Sequence, residues 1–193
     1  MRLQIYKGCK RKWMNVSDGE RGSAGISVLW PDVNNETFRD ALRDAESSDK
    51  PNNISPAIVY SLDEGVRALW LGDMENDYME AIEDDIALSP VDILFAPHHG
   101  RKSGRVPKTW LDKLDPRLIV VGKAPSDELE YYSNYNTLTQ NSAGDILFCC
   151  EAGKTHVYVG SPSYSVNFLD RDPNASVVKG SLYYLGSFDC GDR

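Results

Sequence analysis

Residues 66–100, VRALWLGDMENDYMEAIEDDIALSPVDILFAPHHG, predict the class of fold because two apolar runs flank one helical pattern. The runs 66–72 and 91–96 are short and apolar, as buried strands are. Between them, residues 74–87 have helical spacing and an acidic outer face. A strand, a helix and a second strand normally form a right-handed parallel crossover. The segment therefore predicts an α/β fold.

Further strands and helices are predicted on both sides of this segment. Apolar runs predict strands over 25–30, 57–62, 118–122, 145–150 and 155–159, and helical spacing predicts helices over 36–47 and 107–114. The polar segment 123–144 is expected to be a loop. Its tyrosines are expected in a protein interface, with stacking on nucleic-acid bases as the alternative; they are Tyr131, Tyr132 and Tyr135. Strands and helices alternate through the middle of the chain, as in α/β proteins.

The 193 residues correspond to one domain, since domains commonly hold about 150 residues. We expect an N-terminal extension over 1–24, a main domain over 25–160 and a β-prone C-terminal extension over 161–193 that packs on the same domain. The composition, 41% hydrophobic and 26% charged, is that of a folded globular protein.

Charge and apolar content exclude several classes of protein. Lys and Arg number 21 against 29 Asp and Glu, giving a net charge of −8, so the chain is not expected to coat nucleic acid by bulk charge. No apolar run reaches the roughly 18 residues of a membrane helix, and no signal-peptide pattern follows Met1. The four cysteines lack zinc-site spacing and are expected to be reduced thiols. We expect a cytoplasmic protein without membrane segments.

Two short motifs follow the paired strands and are candidates for a metal site. Leu-Gly-Asp-Met-Glu contains Asp73, and Ala-Pro-His-His-Gly contains His98 and His99. Carboxyl ends of adjacent parallel strands meet at one sheet edge, where open α/β sheets bind ligands. A carboxylate and an imidazole there suit zinc, manganese or iron, of which zinc or manganese is the expected metal. Alternatively, Asp73 is a helix N-cap and the histidines are solvated or hydrogen-bonded.

Basic residues follow the second motif and suggest a phosphate group in the substrate. Arg101, Lys102 and Arg105 come directly after His99, with Ser103 among them. Arginine and lysine bind phosphate by charge and by paired hydrogen bonds, and a serine hydroxyl can donate to the same oxygens. The alternative is a solvated loop whose positive charges offset the negative charge of the acidic helix before it.

Taken together, the motifs resemble the metallo-β-lactamase fold, in its ComEC-like branch of competence-protein hydrolase domains. The resemblance rests on Asn-Asn-Ile-Ser at 52–55, Gly-Asp-Met-Glu at 72–75 and His-His-Gly with Ser103 after it, and spans roughly residues 26–159. It implies an αββα sandwich and a two-metal hydrolase. The basic residues after His99, rather than the resemblance, suggest that the bond cut is a phosphodiester and that the substrate is a nucleic acid or nucleotide. The resemblance further implies that Asp73 bridges the metals and His98 binds one. His99 would orient a ligand or shuttle a proton.

The chain also departs from this family. The family's H-x-H-x-D-H motif has no counterpart, and its late histidine is absent near Asn134 and Asn136. The remaining histidine, His156, lies on a predicted strand and is expected to be structural. Because a catalytic metal needs about three protein ligands, the chain is expected not to hold the family's metal centre alone.

These departures leave three explanations. The chain is the later half of a split hydrolase completed by ligands from a partner chain, a catalytically degenerate subunit that binds or scaffolds proteins, or an enzyme with a weaker single-metal site. The first is the leading expectation, and the second is the alternative.

Overall fold

A six-stranded sheet forms the centre of the fold, in the order β1 (Ile26–Trp30), β2 (Ala57–Ser61), β3 (Arg67–Trp70), β4 (Ile93–Phe95), β5 (Leu118–Val121) and β6 (Thr137–Thr139). The first three strands are antiparallel neighbours, and β3 to β6 run parallel. The computed structural model describes residues 4–12, 14–17, 22–48 and 50–192. Residues 1–3, 13 and 18–21 of the predicted N-terminal extension lie outside the described residues.

Helices cover one face of this sheet. The helices α1 (Glu36–Ser48), α2 (Asn76–Ala81) and α3 (Lys108–Leu114) share one apolar cluster with alternate residues of the strands. Side chains alternate between the faces of a strand, so Leu94 of β4 points to the helices while Ile93 and Phe95 point away from them. A fourth helix, α4 (Gln140–Ala143), is one turn long.

A second sheet packs on the other face. It contains four antiparallel strands in the order β7 (Ile146–Glu151), β8 (Lys154–Val159), β10 (Leu182–Asp189) and β9 (Val178–Lys179). Phe148 of β7 meets Phe95 edge-to-face at 6.1 Å, and Val157 of β8 is buried in the same layer as Leu118. The described elements therefore form a layer of helices, a mixed sheet and an antiparallel sheet. Among these residues, no helix packs on the outer face of the four-stranded sheet.

The predicted α/β class is confirmed, but two element predictions were wrong. The helix predicted over 74–87 is limited to Asn76–Ala81. Glu83, Asp84 and Asp85 would place negative charges at the negative C-terminal end of a longer helix, which is electrostatically unfavourable. The segment 123–144 is not a plain loop, since it contains β6 and α4. None of the helices in the described parts of the chain has the length and apolar content to cross a membrane.

A buried carboxylate fixes the amino ends of the parallel strands. Asp92 is 0% exposed, accepts a hydrogen bond from the backbone N–H of Arg67 at 2.8 Å and pairs with Arg117 Nε at 2.9 Å. Its own backbone bonds to Arg67 and to Leu118. The starts of β3, β4 and β5 are thereby aligned, which brings their carboxyl ends level at the opposite edge.

Replacing Asp92 with alanine is expected to lower the free energy of unfolding by about 2–4 kcal/mol, because the backbone N–H of Arg67 and Nε of Arg117 lose their shared acceptor at the base of the strands. Urea unfolding followed by circular dichroism measures this loss. Asp189→Ala is the matched control, since its carboxylate is 83% exposed and lies 3.9 Å from Lys154. Equal midpoints for the two variants would contradict the role assigned to Asp92.

Candidate functional site at the carboxyl edge of the sheet

The two motifs lie side by side where β3 and β4 end. The backbone N–H of His98 donates to the carbonyl oxygen of Gly72 at 2.9 Å, and that of Ala96 donates to Val120 at 2.9 Å. These bonds continue the parallel pairing of the strands into the loops. The expected meeting of the strand ends is therefore present.

The Asn-Asn-Ile-Ser turn holds the loop that carries Asp73. Ser55 Oγ accepts the backbone N–H of Asp73 at 3.0 Å, and Asn53 Oδ1 accepts that of Glu75 at 3.0 Å. Asn52 and Asn53 donate their amides to the two carboxylate oxygens of Glu75, at 3.2 and 3.3 Å. The amide and hydroxyl groups of this turn thus fix the backbone around Asp73. The Asp73 side chain itself remains exposed.

Gly72 allows the loop that carries Asp73 to pack closely against the Asn-Asn-Ile-Ser turn. Its φ is +60°, and a Cβ there would lie 2.6 Å from Ser55 Cβ. Only glycine combines that backbone conformation with so little space. The glycine before Asp73 is therefore explained by the packing of the two loops.

His98 and His99 both adopt left-handed backbone conformations, with φ of 49° and 59°. Such conformations cost non-glycine residues about 1–2 kcal/mol each, and strain of this kind clusters at functional sites. His98 is held from several sides: Arg101 N–H donates to its carbonyl at 3.0 Å, and Ser103 Oγ lies 3.0 Å from its Nδ1.

Asp73 and His99 line one cleft of about 400 Å³ at the edge between the two sheets. Both residues are exposed. Gly122, at the end of β5, leaves room for the imidazole, because a Cβ there would lie 3.0 Å from His99 Nδ1. The rest of this inter-sheet cleft is largely apolar. It is lined by Trp70, Leu71, Gly72, Phe95, Ala96, Val120, Gln140, Ile146 and Phe148.

His98 lines a second, more polar cleft of about 630 Å³. Arg101, Lys102 and Ser103 line it as well, so these three predicted phosphate-binding residues are together. Three carboxylates share this cleft, namely Glu75, Asp77 and Glu128, and the backbone N–H of Lys102 donates to Glu128 at 3.2 Å. Its charge is therefore mixed rather than positive.

Arg105 is placed apart from the other basic residues. Its guanidinium lies over the ring of Tyr131, 4.9 Å from the centroid, and its carbonyl accepts the Asn76 amide at 2.8 Å.

Tyr132 is fully buried, with its hydroxyl accepting the backbone N–H of Val106 at 3.1 Å, and burial raises the pKa of that hydroxyl. The predicted interface role of Tyr132 was wrong, since its ring belongs to the core.

The described residues do not fit a catalytic metal by themselves. Asp73 and His99 give the inter-sheet cleft two donors, and a catalytic zinc needs about three. Within the described ranges, no group of three or more His, Cys, Asp or Glu side chains is placed to hold a metal ion. His156 lies opposite Cys149 in the four-stranded sheet, with its Nδ1 3.3 Å from the Tyr184 hydroxyl.

The aromatic side of the inter-sheet cleft was not predicted from the sequence. Trp70 and Phe95 each stand three residues before a motif residue, Asp73 and His98, on strands already predicted to be parallel. That equal spacing could have placed the two rings side by side. No sequence pattern could have placed Phe148 in the cleft, because its position depends on how the second sheet packs on the first.

Comparison with known proteins adds no family assignment. No protein-family model matches the chain. No curated protein is significantly similar to it.

Proposed function

We propose that the chain is a metallo-β-lactamase-fold subunit of a metal-dependent phosphodiesterase whose metal centre is completed by a partner chain. One observation carries the proposal: Asp73 and His99 line the same cleft, at the carboxyl edge where the two sheets meet. The strained conformation of His99 supports a functional origin of this arrangement. Two face-to-face sheets with helices on the outer face of the six-stranded sheet are compatible with three of the four layers of the proposed αββα sandwich.

Zinc or manganese suits the two donors that the chain offers, because both ions accept imidazole and carboxylate ligands. The partner would supply the remaining ligands. His98, predicted as a ligand from the sequence, stays a candidate. Its bond to Ser103 favours a role in holding the loop that presents His99.

Arg101, Lys102 and Ser103 are proposed to contact phosphate groups of a nucleic-acid or nucleotide substrate, since they line one cleft beside the motif loop. Arg105 contributes less to this proposal because it stacks on Tyr131. The cytoplasm remains the proposed location.

Charge reversal of Arg101 and Lys102 together is expected to weaken single-stranded DNA binding by the complex. Each lost phosphate contact lowers the slope of log affinity against log salt by about 0.7, so the pair should lower it by about 1.4. Filter binding at several salt concentrations measures the slope. Arg43→Glu on α1 is the control, since its side chain is exposed and already paired with Asp40. An unchanged slope in the double variant would remove the phosphate assignment.

A degenerate subunit that binds or scaffolds another protein is the second candidate. It is favoured by the mixed charge around His98 and by the presence of only two donors in the inter-sheet cleft. In this case, Asp73 and His99 have no metal to bind.

Metal content separates the two candidates. The tagged chain would be purified from its native cells without chelator, alone and with its bound partner, and analysed for zinc and manganese. We expect metal in the complex and none in the isolated chain. A complex free of both metals, with no hydrolysis of bis(p-nitrophenyl) phosphate, would contradict the hydrolase proposal and favour the scaffolding subunit.

A further inference from the structure

Three aromatic rings form one wall of the inter-sheet cleft. Trp70 and Phe95 are paired in register on β3 and β4, and their rings stack at 4.4 Å with an interplanar angle of 12°. Phe148 of the second sheet meets Phe95 edge-to-face at 6.1 Å. The wall is thus built from both sheets, and its rings hold one another in place.

Trp70 is unusual among the residues of its strand because it is accessible. Its exposed fraction is 38%, whereas its neighbours Leu69 and Leu71 are 0% exposed. Large apolar side chains that remain exposed within a concave site commonly mark a binding surface. The volume of the cleft, about 400 Å³, is within the range of small-molecule sites.

The chemistry of the cleft indicates what kind of group it takes. Its apolar lining surrounds a small number of polar side chains, Asp73, His99 and Gln140. An apolar pocket with few polar groups orients a ligand by shape and by those groups. Among ligand groups, a flat aromatic ring would gain the most binding free energy against these three rings, because aromatic surfaces stack on one another without needing hydrogen bonds.

We propose that the substrate carries a flat aromatic ring near the bond that is cut, as a nucleobase or as an aryl group, and that this ring binds against Trp70. The inference rests on the proposed function, because it names the substrate class of the same cleft. Trp70 acts here as a specificity residue. It holds the ring beside Asp73 and His99 and takes no part in bond cleavage.

Binding to the full chain tests the ring site without hydrolysis. Equilibrium dialysis with adenosine and, separately, with phenol distinguishes a nucleobase from a simple aryl ring. We expect saturable binding of at least one probe, weakened about 5- to 100-fold in Trp70→Leu and largely restored in Trp70→Phe. Tyr183→Leu, which removes an aromatic residue 41% exposed outside the cleft, should bind as the unaltered chain does.

Each outcome either supports the ring site or overturns it. Adenosine binding that depends on Trp70 assigns a nucleobase, and phenol binding alone assigns an aryl group. The inference fails if neither probe binds saturably or if Trp70→Leu binds equally well. A complex that hydrolyses bis(p-nitrophenyl) phosphate with an unchanged KM in Trp70→Leu would also refute the ring site, but not the hydrolase. Trp70-dependent ring binding without any hydrolysis by the complex would support the ring site and refute the proposed hydrolase.

Discussion

Asp73→Asn is expected to reduce phosphodiester hydrolysis by the assembled complex at least about 100-fold, because an amide replaces an anionic metal ligand. The fold should be retained, since the Asp73 side chain is exposed and the hydrogen bond to Ser55 is made by the backbone N–H. Hydrolysis of bis(p-nitrophenyl) phosphate, together with metal content and circular dichroism, measures the effect. Full activity in Asp73→Asn would rule out its assignment as a ligand.

The two histidines can be separated in the same assay. His99 lines the cleft with Asp73, whereas the His98 ring bonds to Ser103 on the neighbouring cleft. We therefore expect a larger loss of activity and metal from His99→Gln than from His98→Gln. His156→Gln, on the four-stranded sheet, is the control and should retain activity. A larger loss from His98→Gln would instead support the ligand predicted from the sequence.

Gly100→Ala is expected to lower the free energy of unfolding by about 2–4 kcal/mol, from left-handed strain and from overpacking. Gly100 has a φ of +85°, and a Cβ there would lie 2.5 Å from Val121 Cγ1, a side chain that is 1% exposed. Urea unfolding measures the change.

Gly153→Ala is a matched control for the strain alone. Its φ is +75°, but a Cβ there would have no neighbour within 4 Å. We expect a loss of about 1 kcal/mol for this variant. If the two alanine variants were equally stable, the close packing of the histidine loop on β5 would not matter for folding.

Apolar periodicity was sufficient to predict the central strands. β3 and β4 were recognised because their apolar runs flank a helical pattern, and their parallel pairing followed from the short crossover. β6 was missed because Thr137–Thr139 is three residues long and lies in a polar segment. Its pairing with β5 is a tertiary contact that no local pattern indicates.

The candidate site was predicted in outline but not in detail. The positions of Asp73 and the histidines at adjacent strand ends followed from the motifs. Which histidine shares a cleft with Asp73 depends on two consecutive left-handed residues, a conformation that the residue types do not predict. The pairing of Arg105 with Tyr131 similarly depends on a loop that returns to the site from distant sequence.

Anomalous diffraction from crystals of the complex, recorded at the zinc and manganese absorption edges, tests the central claim most directly. The proposal predicts a metal peak about 2.0–2.2 Å from a carboxylate oxygen of Asp73 and a ring nitrogen of His99, with the remaining ligands donated by the partner chain. A complex whose cleft holds no metal, or whose metal touches neither residue, would contradict it.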